Sequence, residues 1–418
     1  MAIPISYNLR NITQRPLSTL ATVLGIALVV AILVGAFALA SGFQAAMVET
    51  GSPDNLLLLR TGADSEISSG IGLEAANILR ALPDVQIGPD GHPLASPDMV
   101  VLINAPRLGQ SGSSNVTIRG IGAEGLKLRD QVKIVEGRMF TPGTDEVIVA
   151  RRMARRFANC AIGDRIRFGQ RTFTVVGQFT AGGSAFDSEI WGDNAVLMPA
   201  LNREGAYQSV TLRLRDAGPG EVWVEKKPIW RHPLLGYVLY TTVRHDRRFD
   251  ALKKQLEADP RLGVQVRTER GWYSEQSQVM GNVIRIGGVF ITLIMAVGAI
   301  FGAMNTMFAA VRQRTREIAV LLTLGFTPLA VTLSFLIESI LLALVGGVLG
   351  CLIALPINGI TTSTTNWASF SEVAFAFRVT PAGMMVGLVF AAVLGIAGGF
   401  LPALRAGRQP LASSLRAA

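Results

Sequence analysis

Four long apolar runs divide this chain, at approximately Leu17 to Leu39, Val283 to Ala310, Leu329 to Leu355, and Gly383 to Leu404. A bilayer core of roughly 30 Å needs about 20 apolar residues in a helix. The pattern therefore predicts a membrane protein with an α-helical four-span bundle.

The first apolar run has two interpretations. Ala38-Leu39-Ala40 resembles the small-residue cleavage site of a signal peptide. The apolar core is too long for one, and Arg10 and Arg15 stand behind a longish polar start. We therefore expect an uncleaved anchor.

Arginine residues indicate the orientation. Basic segments stand before the first run, after the second and after the fourth, and positive charge marks the cytoplasmic side. Both termini are therefore expected in the cytoplasm, and a large domain outside. These arginines are Arg10, Arg15, Arg312, Arg314, Arg316, Arg405, Arg408 and Arg416.

The expected segments follow from the runs and the orientation. Ile5, Leu9 and Ile12 recur at i, i+4 and i+7, which predicts a cytoplasmic interfacial helix, although a tail with chance spacing is the alternative. The segments are this helix (1–16), span one (17–41), the outside domain (42–280), span two (281–311), a cytoplasmic helix (312–328), span three (329–356), a short outer loop (357–380), span four (381–404) and a cytoplasmic tail (405–418).

The outside domain is predicted to be α+β. Short alternating strands and two amphipathic helices, 72–82 and 246–257, occur along it, with a tight hairpin around Gly169-Gln170. The order strand, helix, strand near both ends predicts a mixed α/β subdomain with a mostly β insertion at about 131–205. The glycine-rich stretch 181–191 lacks the G-x-x-x-x-G-K-[ST] phosphate loop, so we expect a loop at the edge of the β part.

Composition excludes several function classes. The net charge of +9 does not indicate nucleic acid, because the arginines cluster at the ends of apolar runs. Cys160 and Cys351 lie in different environments, so no disulfide is expected. The three histidines stand in no metal-binding or hydrolase motif, and without a Walker motif the chain is not expected to hydrolyse nucleotide alone.

The stretch Val311 to Gly325 is the most informative segment of the chain. Three arginines follow the second apolar run directly, and Ile318, Leu321 and Leu322 recur at helical spacing. A helix with one apolar stripe at a membrane surface needs either lipid headgroups or a partner protein to cover it.

Glu338 and several small residues stand out inside the spans. Glu338 lies near mid-bilayer, where a carboxylate is costly. One interpretation is that it pairs with a cation or steers helix movement, and the other is that it locks the bundle as a protonated or hydrogen-bonded carboxyl. Small residues mark close helix contacts. These are Ala27, Ala31, Gly35, Gly346, Gly350, Gly395 and Gly399.

The block A-A-V-R-Q-R-T-R-E-I-A-V-L-L-T-L-G-F-T-P, the following F-L-I-E-S-I-L-L-A-L-V-G-G-V-L-G and the close G-G-F-L-P-A-L-R-A-G-R resemble the permease core of FtsX/MacB-type ABC transporters. The resemblance implies a four-span permease of the bacterial inner membrane with a large periplasmic domain. It implies a dimer with itself or a related permease, and an ABC ATPase subunit that binds ATP and Mg, while this chain binds no cofactor or metal.

The resemblance also implies a docking role for the helix after span two. Carried over, the ATPase contact comprises Arg314, Arg316, Glu317, Ile318, Leu321 and Gly325. Such permeases act by mechanotransmission, in which ATP hydrolysis moves the periplasmic domain.

Two functions follow from this resemblance. One is export or extraction of a lipid, lipoprotein or small hydrophobic compound, with a periplasmic adaptor or outer-membrane partner. The alternative is an FtsX-like regulator that switches a periplasmic cell-wall hydrolase without transport. An ion-coupled transporter using Glu338 is weakly supported, since one ionisable residue in four spans provides no relay.

Overall fold

The computed structural model describes residues 16–109, 111–215, 222–231, 238–367 and 369–409. The interfacial helix expected before residue 16 and most of the expected tail lie outside the described residues. The chain forms two compact units. The helical unit comprises 1–44, 279–361 and 376–418, and the sheet unit comprises 45–278 and 362–375.

The helices confirm the four apolar runs as helical elements. In chain order they are α1 (Pro16–Val48), α2 (Leu73–Arg80), α3 (Arg151–Ala154), α4 (Asn194–Ala200), α5 (Arg247–Ala258), α6 (Glu269–Gln313), α7 (Thr315–Thr323), α8 (Pro328–Ala354) and α9 (Pro381–Gly407). Helices α1, α6, α8 and α9 are long and apolar enough to span a membrane. Helices α1 and α6 extend beyond their apolar runs. Their backbone hydrogen bonding continues into polar residues, and hydropathy locates only the apolar part of a helix.

Glycines of α8 allow this helix to approach the backbone of α1 closely. A Cβ atom added to Gly346 would lie 2.9 Å from the carbonyl oxygen of Val23, and one added to Gly350 would lie 2.6 Å from that of Ala27. Only a residue without a side chain allows two helix backbones to approach in this way.

The other small residues expected at helix contacts differ among themselves. Cβ atoms at Gly395 and Gly399 would come within 2.7 and 2.4 Å of α8 side chains, and Ala31 is buried. A Cβ at Gly35 would meet nothing within 4 Å. Gly35 therefore has no such contact within the described part of this chain, and its expected place at a helix contact stays a prediction.

The sheet unit is built on a ten-stranded mixed sheet with the order β14-β1-β11-β3-β4-β9-β6-β8-β5, in which β7 pairs with β8. The strands are β1 (Asn55–Arg60), β2 (Ile71–Gly72), β3 (Ala95–Pro106), β4 (Ser113–Ile121), β5 (Lys133–Gly137), β6 (Glu146–Ala150), β7 (Arg165–Phe168), β8 (Arg171–Thr180), β9 (Glu189–Asp193), β10 (Ala206–Tyr207), β11 (Ser209–Arg213), β12 (Val222–Arg231), β13 (Val238–Asp246), β14 (Val264–Thr268), β15 (Thr361–Thr365) and β16 (Glu372–Ala376). Two pairs, β4–β9 and β6–β8, are parallel.

Two hydrophobic cores confirm the α+β character of this unit. One lies among β1, β11, β14, α2 and α5. The other, which we call the β-rich half, contains buried residues from Met99 to Ala200. This half is larger than the insertion expected at 131–205, because the long strand β3 and its partner β4 supply Met99, Val116 and Ile118 to it.

The expected hairpin at Gly169-Gln170 is present. Phe168 pairs with Arg171 across it, and Gly169 has φ +61°. A two-residue connection needs positive φ, which glycine adopts without steric cost. Helix α2 also agrees with the expected helix at 72–82.

The expectation of an edge loop at 181–191 is wrong. The stretch forms a 3₁₀ turn at Ala185–Ser188 and then β9, which lies between β4 and β6 in the sheet. Trp191 is fully buried, and its indole Nε1 donates to Glu189 at 2.6 Å. Glycine and polar residues suggested a surface loop, but the carboxylates here are buried with hydrogen bonds: Asp187 accepts from the N–H groups of Ala181 and Gly183, and Glu189 accepts from Trp191 and from an arginine of β4.

Arg119 of β4 is the centre of this buried polar cluster. Its guanidinium donates two hydrogen bonds to Glu66, at 2.9 and 3.1 Å, and two to Glu189, at 2.8 and 3.0 Å. It also lies over the ring of Phe186, 5.1 Å from the centroid. Burial alone would raise the pKa of Glu66, but the Arg119 charge holds it below its ordinary value.

The short outer loop expected at 357–380 is a folded hairpin. Strands β15 and β16 pair with each other, and residues 362–375 belong to the sheet unit. Its alternating small and aromatic residues were too few to predict a hairpin.

Candidate partner-docking site

Helix α7 joins the second and third long apolar helices. Its sequence, T-R-E-I-A-V-L-L-T, places apolar residues on one side at helical spacing. Glu317 stands in its first turn, where a negative charge interacts favourably with the helix dipole. The sequence therefore forms a short amphipathic helix at the position expected for partner contact.

Gly325 ends this helix. The N–H of Phe326 donates to the carbonyl of Leu321 and the N–H of Gly325 donates to that of Leu322, at 3.1 and 3.2 Å. This pattern is a Schellman cap, which requires positive φ at the glycine, and Gly325 has φ +91°. Gly325 was expected at the ATPase contact, and its geometry gives it a structural role that fixes where α7 stops.

The inner face of α7 is covered by the protein's own helices. Ile318 and Ala319 are buried. Ile318 packs in a cluster with Met307, Val311, Val331, Phe335, Ala403 and Ala406. The expectation that Ile318 contacts an ATPase is therefore wrong, because its side chain is already buried within this chain.

Arg314, also expected at the ATPase contact, lies inside the helical unit. It is 3% exposed, and its Nη1 donates to Oε2 of Glu338 at 2.8 Å. Its guanidinium lies 5.8 Å from the ring centroid of Phe335. A buried guanidinium needs a carboxylate to compensate its charge. Arg314 is thus buried and paired within this chain. Glu338 pairs with a cation, as one of its two interpretations expected, and the pair holds α8 to the start of α7.

The opposite side of α7 is exposed, and we call it the α7 outer face. It comprises Arg316, Glu317, Val320 and Leu324, of which Val320 is 46% and Leu324 is 67% exposed. Leu321 is partly buried at its edge. Two of the expected contact residues, Arg316 and Glu317, therefore lie on a surface that a partner can reach.

Val320 and Leu324 were not among the expected contact residues. They follow Arg316 at intervals of four residues and so lie on its side of the helix. These two exposed aliphatic side chains, beside Arg316 and Glu317, form a small mixed surface suited to protein contact. Counting by fours from Arg316, rather than from the buried Ile318, would have found them.

The geometry of this site is that of an exposed binding surface. Among the described residues, no group of three or more His, Cys, Asp and Glu is placed to hold a metal ion. The α7 outer face presents the charges of Arg316 and Glu317 and the apolar area of Val320 and Leu324.

Comparison with known proteins assigns the family. A family model described as the MacB-like periplasmic core domain matches residues 19–258, and one described as the FtsX-like permease C-terminal domain matches residues 289–411. The chain belongs to the FtsX/MacB-type ABC permease family. The four apolar helices and the MacB-like domain indicate an inner-membrane protein with a periplasmic domain.

Named relatives agree with this family. The chain is 26% identical over 318 residues to the macrolide export ATP-binding/permease protein MacB of Bordetella avium, covering 72% of this chain and 43% of the relative. It is 37% identical over 121 residues to the pyoverdine export ATP-binding/permease protein PvdT of Pseudomonas fluorescens, covering 29% of this chain and 17% of that one. The chain thus spans less than half the length of these relatives.

A solved structure is similar in part. The periplasmic region of MacB from Actinobacillus actinomycetemcomitans aligns with 57% of this chain and 95% of its own length, at 13% identity and a TM-score of 0.36.

Proposed function

We propose that this chain is a permease subunit that couples ATP hydrolysis by a separate ATPase to movement of its periplasmic domain. The observation that carries the proposal is the α7 outer face, which leaves Arg316, Glu317, Val320 and Leu324 accessible on a helix whose other face is fixed to the spans. In this proposal ATP and Mg bind to the partner. Both termini and α7 then lie in the cytoplasm.

The close packing of the spans supports mechanical coupling between the helices and does not favour a passage for substrate between them. A Cβ at Gly288 would lie 2.3 Å from the Cβ of Ala36, and one at Gly398 would lie 2.8 Å from the Cβ of Ala303. These contacts join α6 to α1 and to α9. The pair Arg314–Glu338 joins the start of α7 to α8, so displacement of α7 by a partner would be passed to the third span.

The cargo is proposed from the relatives. Those with printed names are exporters of macrolides and of pyoverdine. We therefore favour export of a small compound over a lipid or lipoprotein, with a second copy of this chain or a related permease as the other half. A periplasmic adaptor or outer-membrane partner would complete such a system. Control of a cell-wall hydrolase is the alternative outcome.

Affinity purification in mild detergent, with neighbouring genes co-expressed, tests the proposal. We expect a P-loop ATPase to co-purify and to hydrolyse ATP, and both Glu317→Lys and Leu324→Asp to reduce its recovery at least about tenfold, as loss of central contacts does. Glu136→Lys is the matched control, because it makes the same charge change on an exposed strand of the sheet unit.

Full ATPase recovery with both α7 variants would contradict the docking role. Recovery of a hydrolase, with no export of labelled compounds by the reconstituted complex, would favour the regulatory alternative.

A further inference from the structure

The connection between α8 and α9 folds as part of the sheet unit. Residues 362–375 lie in that unit, although the helices on both sides of them belong to the helical unit. Val373, Ala374 and Phe375 are buried, and the N–H of Ala374 donates to Oγ of Ser188 at 2.8 Å. This short segment is therefore held by specific contacts within the sheet unit.

Glu372 makes the strongest of these contacts. Its side chain is 4% exposed, and its two carboxylate oxygens accept hydrogen bonds from different arginines. Oε2 accepts from Nη2 of Arg107 at 2.5 Å, and Oε1 accepts from Nη2 of Arg156. Arg156 also donates to Oγ of Ser363 on the other strand of the hairpin, at 2.5 Å.

Both arginines belong to the β-rich half. Arg107 follows β3 directly and forms a bridge with Phe157, which is buried in that core. The carbonyl of Arg156 accepts from the N–H of Leu108 at 2.8 Å, so the two arginine-bearing segments support each other. Glu372 thus binds two cations that neighbouring backbone segments of one subdomain carry.

The charge of this site favours an ionised Glu372. Burial alone would raise the pKa of this carboxyl, but hydroxyl groups of Ser114 and Ser363 and the two arginine charges hold it below its ordinary value. Hydrogen bonds between ionised groups are stronger and more directional than apolar contacts. The hairpin is therefore held by directional ion pairs in addition to the burial of Phe375.

We propose that Glu372 is a positioning residue that fastens the α8–α9 connection to the β-rich half through Arg107 and Arg156, so that movement of spans three and four is passed directly to that half. The transmission rests on the proposed function, whereas the fastening does not. The periplasmic domain would then receive movement from spans three and four as well as along α1 and α6, which lead into it in the chain.

Hydrogen–deuterium exchange on the purified full chain in detergent tests the fastening without any ATPase. In Glu372→Gln, we expect amides of 361–376 to exchange roughly tenfold faster, the effect of losing hydrogen bonds to a charged group. Glu136→Gln, an exposed glutamate of the same unit, should leave them unchanged. Arg156→Gln, at a partly exposed position, repeats the test if Glu372→Gln does not fold.

A double-mutant cycle distinguishes the ion pairs from general destabilisation. Once Arg107 and Arg156 are both replaced by Gln, adding Glu372→Gln should not speed hairpin exchange further and should slow it or leave it unchanged, because the ion pairs are already lost and the substitution removes a buried carboxylate without compensation. Equal hairpin exchange in wild type and Glu372→Gln would overturn the fastening.

The transmission is tested in the complex with the ATPase. When a non-hydrolysable ATP analogue replaces ADP, we expect amide exchange in the β-rich half of the wild-type chain to change. In Glu372→Gln this change should be at most half as large, while the amount of ATPase recovered stays the same. A retained response would overturn the transmission. If wild type recovered no ATPase, the proposed function and the transmission would both fail, and the exchange of the chain alone would still decide the fastening.

Discussion

The Nη1 atom of Arg314 lies 2.8 Å from the Oε2 atom of Glu338, and both side chains are buried. The residues are 24 positions apart, on either side of α7 in the chain. Their pairing converts two charges that are costly in an apolar setting into one internal contact between the start of α7 and α8.

Removing one partner of this pair should destabilise the helical unit strongly. We expect Glu338→Leu to lower the free energy of unfolding by about 3–5 kcal/mol, because it leaves the Arg314 charge buried without compensation. The double variant Arg314→Met with Glu338→Leu should recover most of the loss, since it buries no charge. Thermal unfolding of the detergent-solubilised chain measures both, and equal destabilisation by the single and double variants would contradict the pairing.

Gly325 should be sensitive to a methyl group even though space is available. An added Cβ meets nothing within 4 Å, but φ is +91°, which an L-residue adopts only with strain. We expect Gly325→Ala to cost about 1–2 kcal/mol and to speed amide exchange in the last turn of α7. Gly287→Ala is the control, because Gly287 is exposed in the interior of α6, where alanine should be neutral or stabilising. Identical exchange in the two variants would argue against the cap.

Sequence patterns predicted what depends on local periodicity and missed what depends on distant partners. Hydropathy located the four long helices because each apolar run is a local signal. Arg314 was placed at the surface because arginines usually mark a membrane boundary, and the pattern gave no sign that Glu338 would pair with it.

The sheet unit shows the same limit. Glycine and polar residues at 181–191 are typical of a loop, yet Glu189 is 70 positions from the arginine that buries it. Similarly, the two arginines that bind Glu372 lie 265 and 216 positions away from it. Whether such a segment lies in the core or at the surface depends here on oppositely charged residues far away in the chain, which local spacing does not reveal.

Cys160 should resist thiol reagents in the folded protein. It is 2% exposed, and burial raises the pKa of its thiol to about 11, so little thiolate forms at neutral pH. We expect maleimide labelling of Cys160 at pH 7.5 to be at least about 100-fold slower than in denaturant, because both access and ionisation are reduced. Peptide mass spectrometry separates it from Cys351, and rapid labelling of the native chain would contradict the buried position.

The Arg119–Glu66 pair should make the sheet unit sensitive to acid. The pKa of Glu66 is lowered in the folded state relative to its ordinary value of 4.5. A group with a lowered folded pKa stabilises the fold above its unfolded pKa, and this contribution is lost as pH falls through the folded value. The stability that Glu66 supplies should therefore be complete at pH 7 and decrease as pH falls below 4.5.

Comparison of wild type with Glu66→Gln measures this dependence. At pH 7 the variant should unfold at a lower temperature, because Arg119 loses the charge of Glu66 and keeps Glu189 at 2.8 Å and Asp98 at 3.6 Å as its carboxylate partners. The difference in Tm should shrink as pH is lowered below 4.5, since protonation of Glu66 in wild type then has the same effect as the substitution. Glu136→Gln corrects for the general effect of acid on an exposed carboxyl of this unit. A Tm difference that stays constant from pH 7 to pH 3 would show that the Glu66 charge does not stabilise the cluster.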